Sequence, residues 1–400
     1  MVELASTKIG AYTMLSGNDS AAYAVKLCRV EVVSAFPVEP ATEILEKITD
    51  FVYSDEMKAS LIPAESDFSA LANISGAASA GSRVFTATSR QGLVYMQELI
   101  HWVGRGMLPM VMAVVDAAIG PPGHAGTEQD ASLYQRDAGW LQFYCETSQE
   151  VFDTIIQAYR IAEKVSLPVM VCLDGFYLSH TSEPVCVPDI ELVDQYLPSR
   201  KARVRVTPEE PMRLFGSTMS QEFDAMLRRR TQEAMETAEE FRRKTDKEFE
   251  SIFRRSYSTV EGYRIEDAEV ILVAMSSIAS CARIVIDSMR KAGKKVGLLR
   301  IRMFRPFPSC EIIEALKNAK KVAVIDRNLS YGHGGMTCIE IKAAMCNEEK
   351  RPLIFGFVAG ICGLPVIPEL ITSIVNYTYQ REEPEGEIIW MGIKGNDKIK

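Results

Sequence analysis

The first 200 residues alternate short apolar runs with amphipathic stretches. Residues 30–36 (VEVVSAF) read as a strand stopped by Pro37. Residues 41–53 then place apolar side chains at 44, 45, 48, 51 and 52, the spacing of one helix face. A second strand is expected at 83–88 (RVFTAT), with a helix over 92–103. A β run at 109–115 (PMVMAVV) gives way to Gly120-Pro121-Pro122-Gly123, which reads as loop. Residues 148–163 have a helical pattern, and 167–173 (LPVMVCL) form another strand. Strand–helix–strand alternation of this kind predicts an α/β fold, a parallel sheet with helices on both faces. The strands are near-continuous apolar runs, as burial on both faces requires.

Residues 217–257 differ in kind: they are dense in Glu, Arg and Lys and contain no Gly or Pro. Phe223, Met226, Leu227, Ala234, Phe241 and Phe249 recur at roughly one or two helical turns, so a long exposed helix with one narrow apolar stripe is expected. From residue 265 a second α/β pattern begins, with strands at 269–274, 295–301, 321–325 and 353–358 and helices at 277–292, 308–318 and 336–345. This divides the chain into an α/β domain (1–216), a connecting helix (217–264) and a smaller α/β domain (265–400), whose size is usual for a domain.

Composition narrows the function classes. The net charge of −8 gives no footing for nucleic acid. Nine cysteines without a CxxC spacing argue against a disulfide framework or a zinc or iron–sulfur site in this chain, and fit reduced core thiols in a cytoplasmic protein. The N-terminus lacks a basic stretch leading into an apolar one, and no uncharged apolar run approaches the roughly 20 residues that span a bilayer, so no membrane partner is expected.

Parallel sheets bind ligands at the carboxyl ends of their strands. The loops of interest are therefore 37–43, 64–69, 89–92, 116–130 and 174–180. In and around them stand, in order, GND (17–19), FPVEP (36–40), TATSRQG (86–92), MAVVDAAIG (112–120), QRDAGW (135–140) and LDGFYLSH (173–180). LLRIRMFRPFP (298–308) and VAVIDRN (322–328) follow. Together, in this order, they resemble the α subunit of the 2-oxoacid:ferredoxin oxidoreductases, the pyruvate:ferredoxin oxidoreductase type. The resemblance covers nearly the whole chain. It implies a pyrimidine-type thiamine-diphosphate-binding domain followed by a transketolase C-terminal-like domain.

The resemblance also implies a shared site. Thiamine diphosphate attacks a 2-oxo acid, carbon dioxide leaves, electrons pass to iron–sulfur clusters on other subunits and the acyl group goes to coenzyme A. A β subunit would hold the diphosphate and Mg²⁺, with γ and ferredoxin-like iron–sulfur subunits completing a dimer of heteromers. No metal is expected on this chain. Pro37, Ser89, Arg90 and Gln91 would line the cofactor. The family's aminopyrimidine-binding Glu aligns with Asp67, one methylene shorter, and Glu65 is the alternative for this catalytic contact. Asp67 also stands where a helix N-cap would.

Departures from the family cluster at the substrate end. Glu39 replaces Thr, Arg90 replaces Ser, and Ala117 replaces the Arg that anchors the acid's carboxylate. Arg90 is expected to pair with Glu39 or with substrate, Ala117 to leave room, and His124 to face the substrate from the 120–130 loop. A bulky aryl acid such as phenylglyoxylate is the expected substrate. Two alternatives stay open: an ordinary pyruvate or 2-oxoglutarate enzyme, and a non-catalytic scaffold. Arg136 and Asp137 are expected on the site wall, His180 as a structural loop residue, and Arg300, Arg302 and Arg305 at a subunit interface or near coenzyme A phosphates.

Overall fold

Strands and helices succeed one another much as the apolar runs do. A computed structural model describes residues 10–120, 126–200, 206–207 and 220–393. β1 (Gly10–Leu15) and α1 (Gly17–Leu27) come first, then β2 (Val32–Ala35), α2 (Thr42–Tyr53), β3 (Ser60–Pro63) and α3 (Asp67–Ser79). Next are β4 (Val84–Ser89), α4 (Arg90–Tyr95), α5 (Gln97–Arg105), β5 (Val111–Asp116) and α6 (Asp130–Leu133). β6 (Leu141–Tyr144), α7 (Ser148–Val165), β7 (Val169–Asp174), β8 (Glu183–Pro188) and α8 (Ile190–Tyr196) complete this part. α9 (Gln221–Phe253) leads to β9 (Val260–Tyr263), β10 (Val270–Ala274), α10 (Ser276–Lys291), β11 (Val296–Ile301) and β12 (Met303–Arg305). The chain continues through α11 (Ser309–Leu316), β13 (Lys321–Asp326), α12 (Met336–Met345), β14 (Leu353–Val358), α13 (Pro368–Gln380) and β15 (Ile389–Trp390).

The first sheet has seven strands in the order β12-β6-β7-β5-β4-β2-β3. All its pairings are parallel except that of β12. β4, β5 and β7 are buried at every residue, and each ends on a polar one: Ser89, Asp116 and Asp174. The second sheet has six strands in the order β15-β14-β13-β10-β11-β9, with β9 antiparallel at its edge. No helix among the described residues is long and apolar enough to cross a membrane.

Two expectations change. The helix foreseen over 92–103 is two helices, α4 and α5, because Met96 (φ −86°, ψ 10°) breaks the run. The long charged helix is less exposed than its composition suggests. The second half of α9 lies against α7, burying Ala238, Phe249 and Phe253. It also buries Arg242 and Asp246, which pair with each other, and Asp246 accepts a bond from Gln157 Nε2 at 3.3 Å.

The domains are joined by buried charge. Arg300 and Arg302 reach from β11 and its following residue to Glu150 on α7, Arg302 Nε at 2.7 Å. Arg302 Nη2 also donates to Thr154 and Gln157. Burial would raise the Glu150 carboxyl, but the two guanidiniums overturn that and hold it below its usual range. Arg305 pairs with Glu340 and donates to the Arg136 carbonyl. Arg300 and Arg302 are thus buried and occupied within the chain, which corrects their expected place at a subunit interface or coenzyme A phosphates, whereas Arg305 stays partly exposed on a cleft. A second ion pair joins Asp174, at the end of β7, to Arg327 at 3.0 Å.

Candidate active site

The carboxyl ends of β2, β4, β5 and β7 share one edge of the first sheet, and α3 starts beside them. Ser66, not Asp67, caps α3, accepting from Ser69 N. Asp67 therefore sits in the first turn, and its carboxylate turns inward, 5% exposed. Oδ1 accepts a hydrogen bond from Thr88 Oγ1 at 2.7 Å. No cation pairs with the carboxyl among the described residues. Burial pushes its pKa above the usual range, with the Thr88 hydrogen bond opposing.

Gly92 explains how the carboxyl fits. A Cβ placed there would meet Asp67 Cγ at 2.5 Å and both carboxyl oxygens at 2.6 Å. Only a glycine leaves room, so the Gly of TATSRQG serves the Asp of ESDFS. Glu65, the alternative, faces solvent and accepts from Ser69 Oγ, a bond that lowers its pKa.

The remaining residues separate. Ser89 is buried and its hydroxyl donates to the Val115 carbonyl at 2.6 Å, tying β4 to β5. Gln91, Pro37 and Glu39 are exposed at the same edge. Arg90 begins α4 with a left-handed φ of 47°, a conformation costing about 1–3 kcal/mol outside glycine. Its Nε donates to the Ala118 carbonyl at 2.9 Å. No Arg90–Glu39 ion pair forms, which corrects that expectation: the side chain is drawn toward the end of β5 instead. Ala117 is fully buried, and the Gly175 turn lies beside its Cβ, so the missing side chain leaves no opening at that position. His124 lies outside the described residues.

The motif loops converge on this edge. Gly17 N and Asn18 N donate to the carbonyls of Leu178 and Ser179, and Asn18 Nδ2 donates to the Pro40 carbonyl at 2.9 Å. His180 Nδ1 is hydrogen-bonded with Ser179 Oγ at 2.7 Å, and its ring lies against Phe176. Arg136 and Asp137 do not join them. They precede β6, at the opposite edge, and with Arg305 line a separate cleft of about 580 Å³. Their expected place on the site wall is thereby corrected, because the 130–140 segment carries the chain back across the sheet.

Sequence reading missed Asp116. It is fully buried at the end of β5, in register with Asp174, with Ser132 beside its carboxyl and no well-formed hydrogen bond to either oxygen among the described residues. Burial raises its pKa well above the usual range, with the nearby charges of Asp174 and Asp130 adding to it. A polar residue ending a fully apolar run was its only signal.

Two family models match: "Pyruvate flavodoxin/ferredoxin oxidoreductase, thiamine diP-bdg" over residues 23–247 and "Pyruvate:ferredoxin oxidoreductase core domain II" over 268–371. The pyruvate synthase subunit PorA of Methanothermobacter thermautotrophicus is 42% identical over 383 residues, 95% of this chain and 98% of the relative. The ketoisovalerate oxidoreductase subunit VorA of Pyrococcus horikoshii is 41% identical over 351 residues, 88% of this chain and 89% of the relative. Among solved structures, the 2-oxoglutarate:ferredoxin oxidoreductase from Magnetococcus marinus superposes with a TM-score of 0.71 at 20% identity, over 92% of this chain and 65% of that one. A split-gene transketolase, an inactive β4 tetramer, reaches 0.55 at 11% identity over 92% of this chain and 99% of that one. The last two likenesses concern the fold. The chain belongs to the 2-oxoacid:ferredoxin oxidoreductase family, as the thiamine-diphosphate-binding α subunit of such an oxidoreductase.

Proposed function

We propose that this chain builds the aminopyrimidine side of a shared thiamine diphosphate site and contributes Asp67 as its proton-exchanging group. The carrying observation is a buried carboxylate at the strand-end edge, without a counter-ion, lying against the bare Cα of Gly92. A carboxyl raised by burial holds its proton closer to neutral pH, which suits exchange with a ring nitrogen. When bound, thiamine diphosphate supplies the carbon nucleophile for the 2-oxo group and takes up the charge left as carbon dioxide departs. Pro37 and the 89–92 turn border the cofactor, with Ser89 holding β4 and β5 in register for it.

In this reading a β subunit brings Mg²⁺ and the diphosphate contacts. The γ and ferredoxin-like subunits carry iron–sulfur clusters, coenzyme A accepts the acyl group, and the assembly is a dimer of heteromers. Arg90 supplies the cation for the substrate carboxylate, in place of a guanidinium at position 117. Its hydrogen bond to Ala118 and its left-handed backbone support this, as does the absence of an acidic partner among the described residues. Glu39, exposed at the mouth, disfavours a small acid whose carboxylate would approach it. An aryl 2-oxo acid such as phenylglyoxylate fits these departures better than pyruvate. The relatives do not choose a substrate, since pyruvate and ketoisovalerate subunits match almost equally.

The test is coenzyme-A-dependent viologen reduction by the assembled complex with pyruvate, 2-oxoisovalerate, 2-oxoglutarate and phenylglyoxylate. Phenylglyoxylate should have the highest kcat/KM. Pyruvate as best substrate by a wide margin would defeat the substrate assignment.

A further inference from the structure

Thr88 has a hydroxyl committed to one task. It lies on β4, a strand buried at all six residues, and is itself 0% exposed. Thr86, two residues back and so on the same face of the strand, is equally buried, yet its hydroxyl has no hydrogen-bond partner among the described residues. At position 88 the hydroxyl meets an acceptor, Asp67 Oδ1 at 2.7 Å. A threonine hydroxyl has a single hydrogen to give. Donated to Oδ1, it leaves Oδ2 as the oxygen open to exchange a proton. No other side chain engages Oδ2 among the described residues.

Two contacts therefore fix this carboxyl. Thr88 holds Oδ1 from the strand, and the Cα of Gly92 closes one face of the group. Asp67 has one side-chain torsion fewer than a glutamate, so fixing one oxygen fixes the other. We infer that Thr88 is a positioning residue of the catalytic site, one that presents Asp67 Oδ2 as the proton-exchanging atom. This rests on the reading of Asp67 given above. Thr88 does not touch the substrate or donate in the reaction. It acts through Asp67, by favouring the charged carboxylate over the neutral acid and by assigning the oxygens their separate tasks.

The test compares Thr88→Val, Thr88→Ser and Asp67→Asn. One readout needs no cofactor: the carboxyl titration of Asp67, followed by ¹³C NMR in the full chain labelled at aspartate. The others, on the assembled complex, are the affinity for thiamine diphosphate and the pH profile of kcat. Loss of a hydrogen bond to a charged group is worth about 10–100-fold. Thr88→Val should therefore raise the Asp67 titration midpoint, move the acid limb of the kcat profile upward with it and cut kcat by about tenfold. Thr88→Ser, which keeps the donor, should restore all three. Thr88→Ala replaces the valine variant if the latter does not fold. A lowered Tm with an unmoved Asp67 midpoint would overturn the inference and mark Thr88 as a packing residue. Wild-type kcat in the valine variant alongside an impaired Asp67→Asn would overturn it while sparing Asp67. Wild-type kcat in Asp67→Asn would sink the Asp67 reading and this inference with it.

Discussion

The seam between the domains and the carboxyl-end edge of the first sheet use the same kinds of side chain and leave them in opposite states. At the seam, Glu150 lies between Arg300 and Arg302, and Asp174 meets Arg327 and the backbone amide of Ser277. These two carboxylates are matched by opposite charges. At the edge, Asp67 is buried without a cation, and neither Arg90 nor Glu39 has an ionic partner among the described residues. Both regions are written in family motifs, RIRMFRP and VAVID at the seam and TATSRQG at the edge. We read the difference as a division of tasks between the motifs. A buried charge saturated within its own chain holds the fold, whereas one left unmatched is costly to the free chain and available to a ligand or partner.

The largest test of this comparison is Glu150→Ala. It would leave the buried Arg302 without a carboxylate, while Arg300 keeps Glu146, and should cost about 3–5 kcal/mol, read as the shift in a denaturant midpoint. A loss under 1 kcal/mol would mean that the seam is not charge-locked, with the threshold set by what about one exposed pair is worth. Next is Gly92→Ala, whose methyl would collide with the Asp67 carboxyl. Overpacking of this kind costs about 1–3 kcal/mol, and turnover should fall further than the stability loss explains. Retained turnover would show that the carboxyl can move without consequence.

The smallest expected effect concerns a place where the seam is not fully matched. Asp130 accepts from Leu329 N of the second domain, and Glu128 accepts from Cys362 N. Burial, with the charge of Glu128 adding to it, raises the Asp130 pKa to about 7. The folded chain thus holds this proton more tightly than the unfolded chain does. The stabilisation is complete below the ordinary carboxyl range and is lost as pH rises through about 7. The Tm should therefore fall between the ordinary carboxyl range, about pH 4, and about pH 7, and level off above that, and Asp130→Asn should flatten the fall. An unchanged slope in the variant would place the titration elsewhere.

Much of the scaffold was legible because buried parallel strands advertise themselves. LIFGFV at Leu353–Val358 and the helix Met336–Met345 have the bounds their patterns suggest. What was not legible depends on pairings across the chain. β12 is three residues long, too short to register as a strand, yet it carries the second domain onto the edge of the first sheet beside β6. The burial of Arg300 and Arg302 depends on Glu150, about 150 positions away in sequence, so their charge read as surface or interface. Ala117 suggested space only because its neighbours were unknown. At the edge, Asp67 stood out by its departure from the family's Glu. Thr88 and Gly92, which set its position, gave no local sign of that task.

We propose that the unmatched carboxylate of Asp67 serves catalysis and not the fold. Asp67→Asn tests it directly, with Tm and coenzyme-A-dependent turnover measured on the same assembled complex. An amide is isosteric, can still accept from Thr88 and carries no charge to desolvate. Tm should therefore be unchanged or raised while turnover falls by about 100-fold or more. Turnover at the wild-type level, or a Tm loss large enough to account for the fall, would contradict the account.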